Sequence, residues 1–121
     1  MDPGRPVMKY SINEKYNCVV IEMKGKIMGG PDAETFRNDL QKLIDQDKKH
    51  VIIDLGKVKF MNSSGIGIII GGYKTMKANG GDIKLCNADK RLKSLLMISH
   101  LNTVFDTHDS LESAVNAYSN K

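Results

Sequence analysis

The chain has 121 residues, enough for one domain with a core of its own. Its hydrophobic share of 40% and charged share of 26% are those of an ordinary soluble globular protein, and it lacks the long apolar run that a membrane span needs. The net charge is +4, but the lysines are scattered and have no aromatic or motif support, which argues against nucleic acid as a partner. Residues 1–7 lack the apolar stretch of a signal peptide and read as an expression scar or disordered tail, with Met8 as the natural start. Cys18 and Cys86 sit in apolar, strand-like runs and read as buried thiols rather than a disulfide. These features together point to the cytoplasm.

The pattern alternates strands and helices. Tyr10–Tyr16 and Cys18–Lys24 read as two strands of a hairpin turning at Asn17. Gly29 and Gly30 break the chain, Pro31 suits a first helical position, and Asp32 and Glu34 suit the positive end of a helix. Ala33, Phe36, Leu40, Leu43 and Ile44 follow at helical spacing. Val51–Leu55 is a near-continuous apolar run, as in a central strand covered on both faces.

A second helix is expected from about Ser64 to Ala78, with Ser63 just outside it and Ile66, Ile69, Ile70 and Tyr73 on its apolar side. Asn79, Gly80 and Gly81 stop it. Ile83–Cys86 is a further strand, and Asp89 caps a helix that carries Leu92, Leu95 and Leu96. Val104 and Phe105 suggest a last strand. Asp109 with Glu112 three residues on has the spacing of a capping box, opening a helix with Leu111, Ala114, Val115 and Tyr118 on one stripe. The order predicts one α/β domain: a mixed, mostly parallel sheet of about five strands, its antiparallel edge made by the hairpin, with about four helices.

The stretch that carries chemistry runs from Phe60 through Met61, Asn62, Ser63, Ser64, Gly65 and Ile66 to Gly67. It follows a buried strand and opens a helix, whose first turn has unpaired N–H groups and a positive partial charge. Two hydroxyls therefore stand where an anion is tolerated, and Gly65 and Gly67 leave the surface beside them open to another molecule. Capping and close packing would also use Asn, Ser and Gly. However, glycines at 65, 67, 71 and 72 are more than packing usually asks of one helix.

Other chemistries fit poorly. The glycine spacing matches neither a dinucleotide fingerprint nor a P-loop. Ser63 has no nucleophile elbow around it. His50, His100 and His108 lack metal-ligand spacing. Asp54 has no partner carboxylate and reads as a support for the serine loop. No catalytic constellation, metal site or cofactor site emerges.

Val51–Leu55, the Phe60–Gly67 stretch and Gly80–Leu85 together resemble the STAS domain, and within it the stand-alone anti-sigma factor antagonists of bacteria. The resemblance runs from about Tyr10 to Ala117 and places the domain at residues 8–121; Leu95–Leu101 is similar to the family's helix before its last strand. It implies phosphorylation of Ser63 by a partner kinase that is also an anti-sigma factor. Ser64 matches the second serine of the family's loop, Gly65 its glycine, and Asp54 its acidic or amide residue at the strand end. Asn62 stands where the family usually has Asp, which removes a negative charge beside Ser63. Met28, in the loop after the second strand, stands about where the family often has Asp.

The resemblance implies a non-enzymatic partner switch. Unmodified protein would dock the surface made by Asn62, Ser63, Ser64, Gly65 and Gly67 on an anti-sigma factor serine kinase, a histidine-kinase-like ATPase. Phosphorylation of Ser63 would release it, and a serine phosphatase of the PP2C type would reset it. No nucleic acid, membrane or cofactor is involved. Two alternatives stay open: a STAS regulator of a secretion or signalling complex, and a nucleotide- or lipid-binding STAS module.

Overall fold

The computed structural model describes residues 9–15, 17–30 and 32–119. The expectations for the tail, Met8, Tyr16 and Pro31 lie outside these residues. The chain order is β1 (Lys9–Lys15), β2 (Cys18–Ile27), α1 (Asp32–Asp45), β3 (His50–Met61), α2 (Ser63–Ala78), β4 (Asp82–Cys86), α3 (Lys90–Ile98), a 3-10 turn (Leu101–Thr103), β5 (Asp106–His108) and α4 (Leu111–Ser119). The five strands form one sheet in the order β1-β2-β3-β4-β5. The β1–β2 pair is antiparallel and the other pairs are parallel, as the hairpin and the alternating pattern require.

Strand order in a sheet that grows in one direction decides where the helices go. Right-handed crossovers that each add the next strand place α1, α2 and α3 on one face. That face holds the main core, with Ile21, Met23, Val51, Ile53, Ile83 and Leu85 from the strands under Phe36, Leu40, Ile69, Met76, Leu92 and Leu96. The side-chain period of two sends Cys18, Ile52 and Cys86 to the other face, where Ala114, Val115 and Tyr118 of α4 cover them. Both cysteines are buried and form no disulfide. Burial pushes both thiols up, Cys86 to about 12, so they are protonated at neutral pH.

Several boundaries differ from the sequence reading. β3 does not stop at Leu55. Past Asp54 it leaves β4 behind and continues to Met61 paired with β2 alone, with two register shifts along the pair. Lys57 and Lys59 interrupt the apolar run there, because the outer face of this ribbon is exposed while Val58 and Met61 stay buried on the other. The last strand is Asp106–His108 rather than Val104–Phe105. Phe105 is buried in the core and Val104 is exposed, so the apolar pair marks a core anchor ahead of a polar edge strand. α4 is capped by Ser110, whose Oγ accepts from the Ser113 amide at 3.1 Å, while Asp109 instead pairs with Lys93 at 2.9 Å. Asp89 does cap α3, accepting from the Leu92 amide at 2.8 Å.

The α4 face carries a polar cluster. Lys84 is buried and donates to Asp106 at 2.7 Å, its ammonium lying 4.7 Å from the Tyr118 ring centroid. The Tyr118 hydroxyl donates to the Val51 carbonyl at 2.8 Å. His108 bridges Asp106 and Ser113, at 2.9 and 2.8 Å. The bond from Lys84 is the main reason the Asp106 carboxyl sits below its ordinary range. A carboxylate depressed in this way stabilises the fold above its unfolded pKa, about 3.9, and loses that contribution as pH falls through the lower folded value. The Lys84–Asp106 link should therefore hold through neutral and mildly acidic pH. Asp106→Asn should lower stability at neutral pH and flatten its fall below the carboxylate range, as checked by urea melts across the acid limb; superimposable curves for the two proteins would refute the linkage.

Candidate functional site

The end of β3 delivers the chain to α2 through a single residue. Asn62 is extended, with φ −101° and ψ −177°, and its Oδ1 accepts from the Gly65 amide at 2.8 Å. Asn62 is therefore the N-cap. Ser63 is the first helical residue, not the residue before the helix, and Ser64 is the second. Both serines are exposed, and among the described residues neither hydroxyl makes a hydrogen bond. The first turn carries no acidic side chain, so no carboxylate offsets the positive end of this 16-residue helix.

The glycines divide into two kinds. A Cβ on Gly65 would lie 2.0 Å from the Ile27 carbonyl oxygen, and one on Gly72 would lie 2.8 Å from both Leu40 and Phe36 of α1. These two are packing glycines: the first seats the helix start on β2, the second lets α1 and α2 approach. Gly65 thus presents no open surface, contrary to the sequence reading. A Cβ on Gly67 or Gly71 would meet nothing within 4 Å, so these two leave the outer side of the helix bare.

That bare side faces a groove of about 140 Å³ between α1 and α2. Ser64, Gly67 and Gly71 line one wall, and Gly29, Gly30 and Arg37 line the other. The loop after β2 reaches it because Gly29 and Gly30 adopt φ of +93° and +79°. A Cβ on Gly29 would lie 2.6 Å from Ser64 Cβ, so only glycine lets the loop close on the serine. Arg37 was not singled out in the sequence; its place one turn beyond Ala33, on a helix packed against α2, was the available signal.

Asp54 belongs elsewhere. Its Oδ1 accepts from the Gly56 amide at 2.9 Å and from Asn87 Nδ2 at 3.1 Å, so it ties β3 to the loop after β4. It supports a loop, but not the serine loop. Among the described residues, no group of three or more His, Cys, Asp or Glu is placed to hold a metal ion. No helix among them is long and apolar enough to cross a membrane.

The STAS domain family matches residues 9–114. The chain belongs to the STAS family. An anti-sigma F factor antagonist of Paenibacillus polymyxa is 32% identical over 62 residues, a match that spans 51% of this chain and 53% of that protein. The anti-sigma-B factor antagonist of Bacillus subtilis is 30% identical over 104 residues, covering 86% of this chain and 94% of that one. Among solved structures, the Bacillus cell fate determinant SpoIIAA in its phosphorylated form shares the fold, with TM-score 0.69 at 21% identity and coverage of 91% of this chain and 99% of that one.

Within the STAS frame, Ser63 and Ser64 open the helix that follows the long central strand, and the β2–α1 loop closes on the second serine. Two consequences for stability follow. Gly65→Ala should cost roughly 3 kcal/mol, because the methyl collides with backbone that cannot move aside, whereas Gly67→Ala should gain about 0.5–1 kcal/mol. Equal effects of the two in a urea melt would mean the division is wrong. Asn62→Ala should cost about 1 kcal/mol through loss of the cap. Asn62→Asp keeps the cap and adds an anion at the helix start, so it should gain about 0.3–1 kcal/mol at low salt. Thermal melts of both variants check this pair.

Proposed function

We propose that this protein is an anti-sigma factor antagonist that works by partner switching, with Ser63 as the phosphorylation acceptor. The observation that carries the reading is an exposed first-turn serine whose hydroxyl has no bonding partner, on a helix start with no acidic side chain, in a STAS chain whose relatives are named anti-sigma factor antagonists. The partner is an anti-sigma factor serine kinase of the histidine-kinase-like ATPase type, and a PP2C-type phosphatase resets the switch. The protein itself performs no catalysis.

The physical steps are short. Unmodified Ser63 presents a neutral hydroxyl that a partner can cover. Phosphorylation adds about −1.5 to −2 charge and three acceptor oxygens. The helix N-terminus stabilises that charge, so the fold has no reason to rearrange. The interface must now desolvate an anion where a hydroxyl sat, which weakens docking. Ser63 fits this role better than Ser64 because Ser64 is held against Gly29 and lines the groove wall. Asn62 holds the turn, while Ser64 and Gly67 form the neighbouring contact surface.

Incubation with the purified kinase and ATP should place phosphate on Ser63, as read by peptide mass spectrometry. Ser63→Ala should bind the kinase and escape modification. Ser63→Asp should bind at least tenfold more weakly (about 1.4 kcal/mol) with no loss of stability in the melt, since the helix start favours the added carboxylate. Modification confined to Ser64, or equal affinity of the two variants, would overturn the reading.

A further inference from the structure

Among the described residues, the sheet's outer face is only partly covered. α4 packs on β3, β4 and β5, and past Asp54 the β2–β3 ribbon continues without β4 beside it. On this stretch the charges are arranged against the fold's own interest. Lys9 pairs in register with Lys24, and Lys24 with Lys57, so three lysines form a row across three strands. Like charges directly opposite one another destabilise a sheet. Glu22 relieves part of this, lying 3.3 Å from Lys57 and 3.8 Å from Lys24. Lys26 and Lys59 are exposed, and among the described residues neither has an ion-pair partner. Phe60 stands beside them, 42% exposed and in register with Lys26.

We propose that this lysine-bearing face of the β2–β3 ribbon, with Phe60 as its apolar anchor, is a second docking surface for the same partner, and that the partner meets it with an acidic surface. The inference rests on the switch reading above. Continuity with the Ser63 surface favours that occupant. Phe60 is two residues before the cap Asn62, and the Asn62 amide donates to the carbonyl of Ile27, the neighbour of Lys26. The ribbon thus ends beside the start of α2, and a body that covers Ser63 and reaches round that end would meet this face. Lysines that repel one another in the separate protein would be relieved by carboxylates across an interface. A partly buried aromatic beside them is the kind of residue that anchors such contacts. Phosphate on Ser63 would lower the positive potential of this face as well as charging the ledge, so one modification would weaken both parts of the interface.

The test uses the full chain and the purified kinase identified by Ser63 phosphorylation. Charge reversal by Lys26→Glu with Lys59→Glu should weaken binding about tenfold at low salt, mainly through slower association, and remove most of the salt dependence seen for the unmodified protein. Phe60→Ala should weaken binding about tenfold at every salt concentration. The lysine variant should melt unchanged, since both side chains are exposed; Phe60→Ala loses some packing, so its affinity is read at a temperature where its melt shows it folded. If the charge-reversed protein binds normally while Ser63→Asp does not, the inference falls and the switch stands. If neither change affects binding, both fall. The same variants are tested with phosphatidylserine vesicles and a DNA duplex. Normal kinase binding together with lost vesicle or duplex binding would assign the face to lipid or nucleic acid and overturn the proposal.

Discussion

The start of α2 sits directly on the carbonyl oxygen of Ile27, and a residue without a side chain is needed for it to do so. The same oxygen accepts from the Asn62 amide at 3.3 Å, which carries the β2–β3 pairing one residue past the last strand residue. The helix therefore begins where the ribbon ends, with no loop between them to absorb movement. Asn62 closes the first turn by bonding Gly65, the residue that makes the close contact. Cap, contact and ladder share three residues. The two serines are thus fixed by rigid elements rather than by a flexible loop, and the β2–α1 loop is brought to Ser64 because Ile27 and Gly29 belong to one short piece of chain.

Much of this was legible in the sequence, for a physical reason: the signals were redundant. The Val51–Leu55 run, the Asn79–Gly81 stop and the strand after it agree on a buried strand followed by a capped helix. The serine pair could be located at the helix start because a buried strand before it and a helical apolar stripe after it bracket the junction, although the helix begins one residue earlier than expected. The misreadings occurred where one residue type serves two purposes. Gly65 and Gly67 are indistinguishable as letters, and only the position of the Ile27 carbonyl makes one a packing contact and the other bare surface. Asp54 looked like a support for the serine loop because β3 was expected to end there. The strand runs on to Met61, so the carboxylate serves Asn87 instead. Val104 and Phe105 looked like a strand because burial by a 3-10 turn and burial in a sheet draw on the same apolar residues.

The two ends of the outer face treat lysine in opposite ways. Beneath α4, Lys84 is buried, bonded to Asp106 and laid over Tyr118, so its charge is used within the fold. On the ribbon, Lys24 and Lys57 share a single glutamate, and Lys26 and Lys59 are exposed and make no ion pair among the described residues. Exposed ion pairs contribute little, typically below about 1 kcal/mol, so Glu22 does not make the ribbon lysines a stabilising network. The contrast matters for reading charge in a small domain. The net value of +4 describes neither end; what differs is whether the ammonium is buried and bonded within the fold, as at Lys84, or exposed.

A switch at a helix start has a particular advantage in so small a sheet. Under the proposed switch, the groups that would meet a phosphate there are backbone N–H groups and the helix dipole, both already present in the unmodified fold and oriented by the Asn62 cap. No side chain has to swing in to neutralise the charge, and no carboxylate in the first turn opposes it. The energy change is therefore confined to what faces outward: the hydroxyl or phosphate, the bare side of α2 at Gly67 and Gly71, and the groove toward Arg37. Gly65 and Gly72 seat the inward side closely, since a side chain at either would meet the Ile27 carbonyl or the Leu40 and Phe36 side chains of α1. Four glycines on one helix thus separate two requirements. Two seat the scaffold and two leave bare surface; under the proposed switch the first pair would keep the fold from responding to phosphorylation and the second would face the partner.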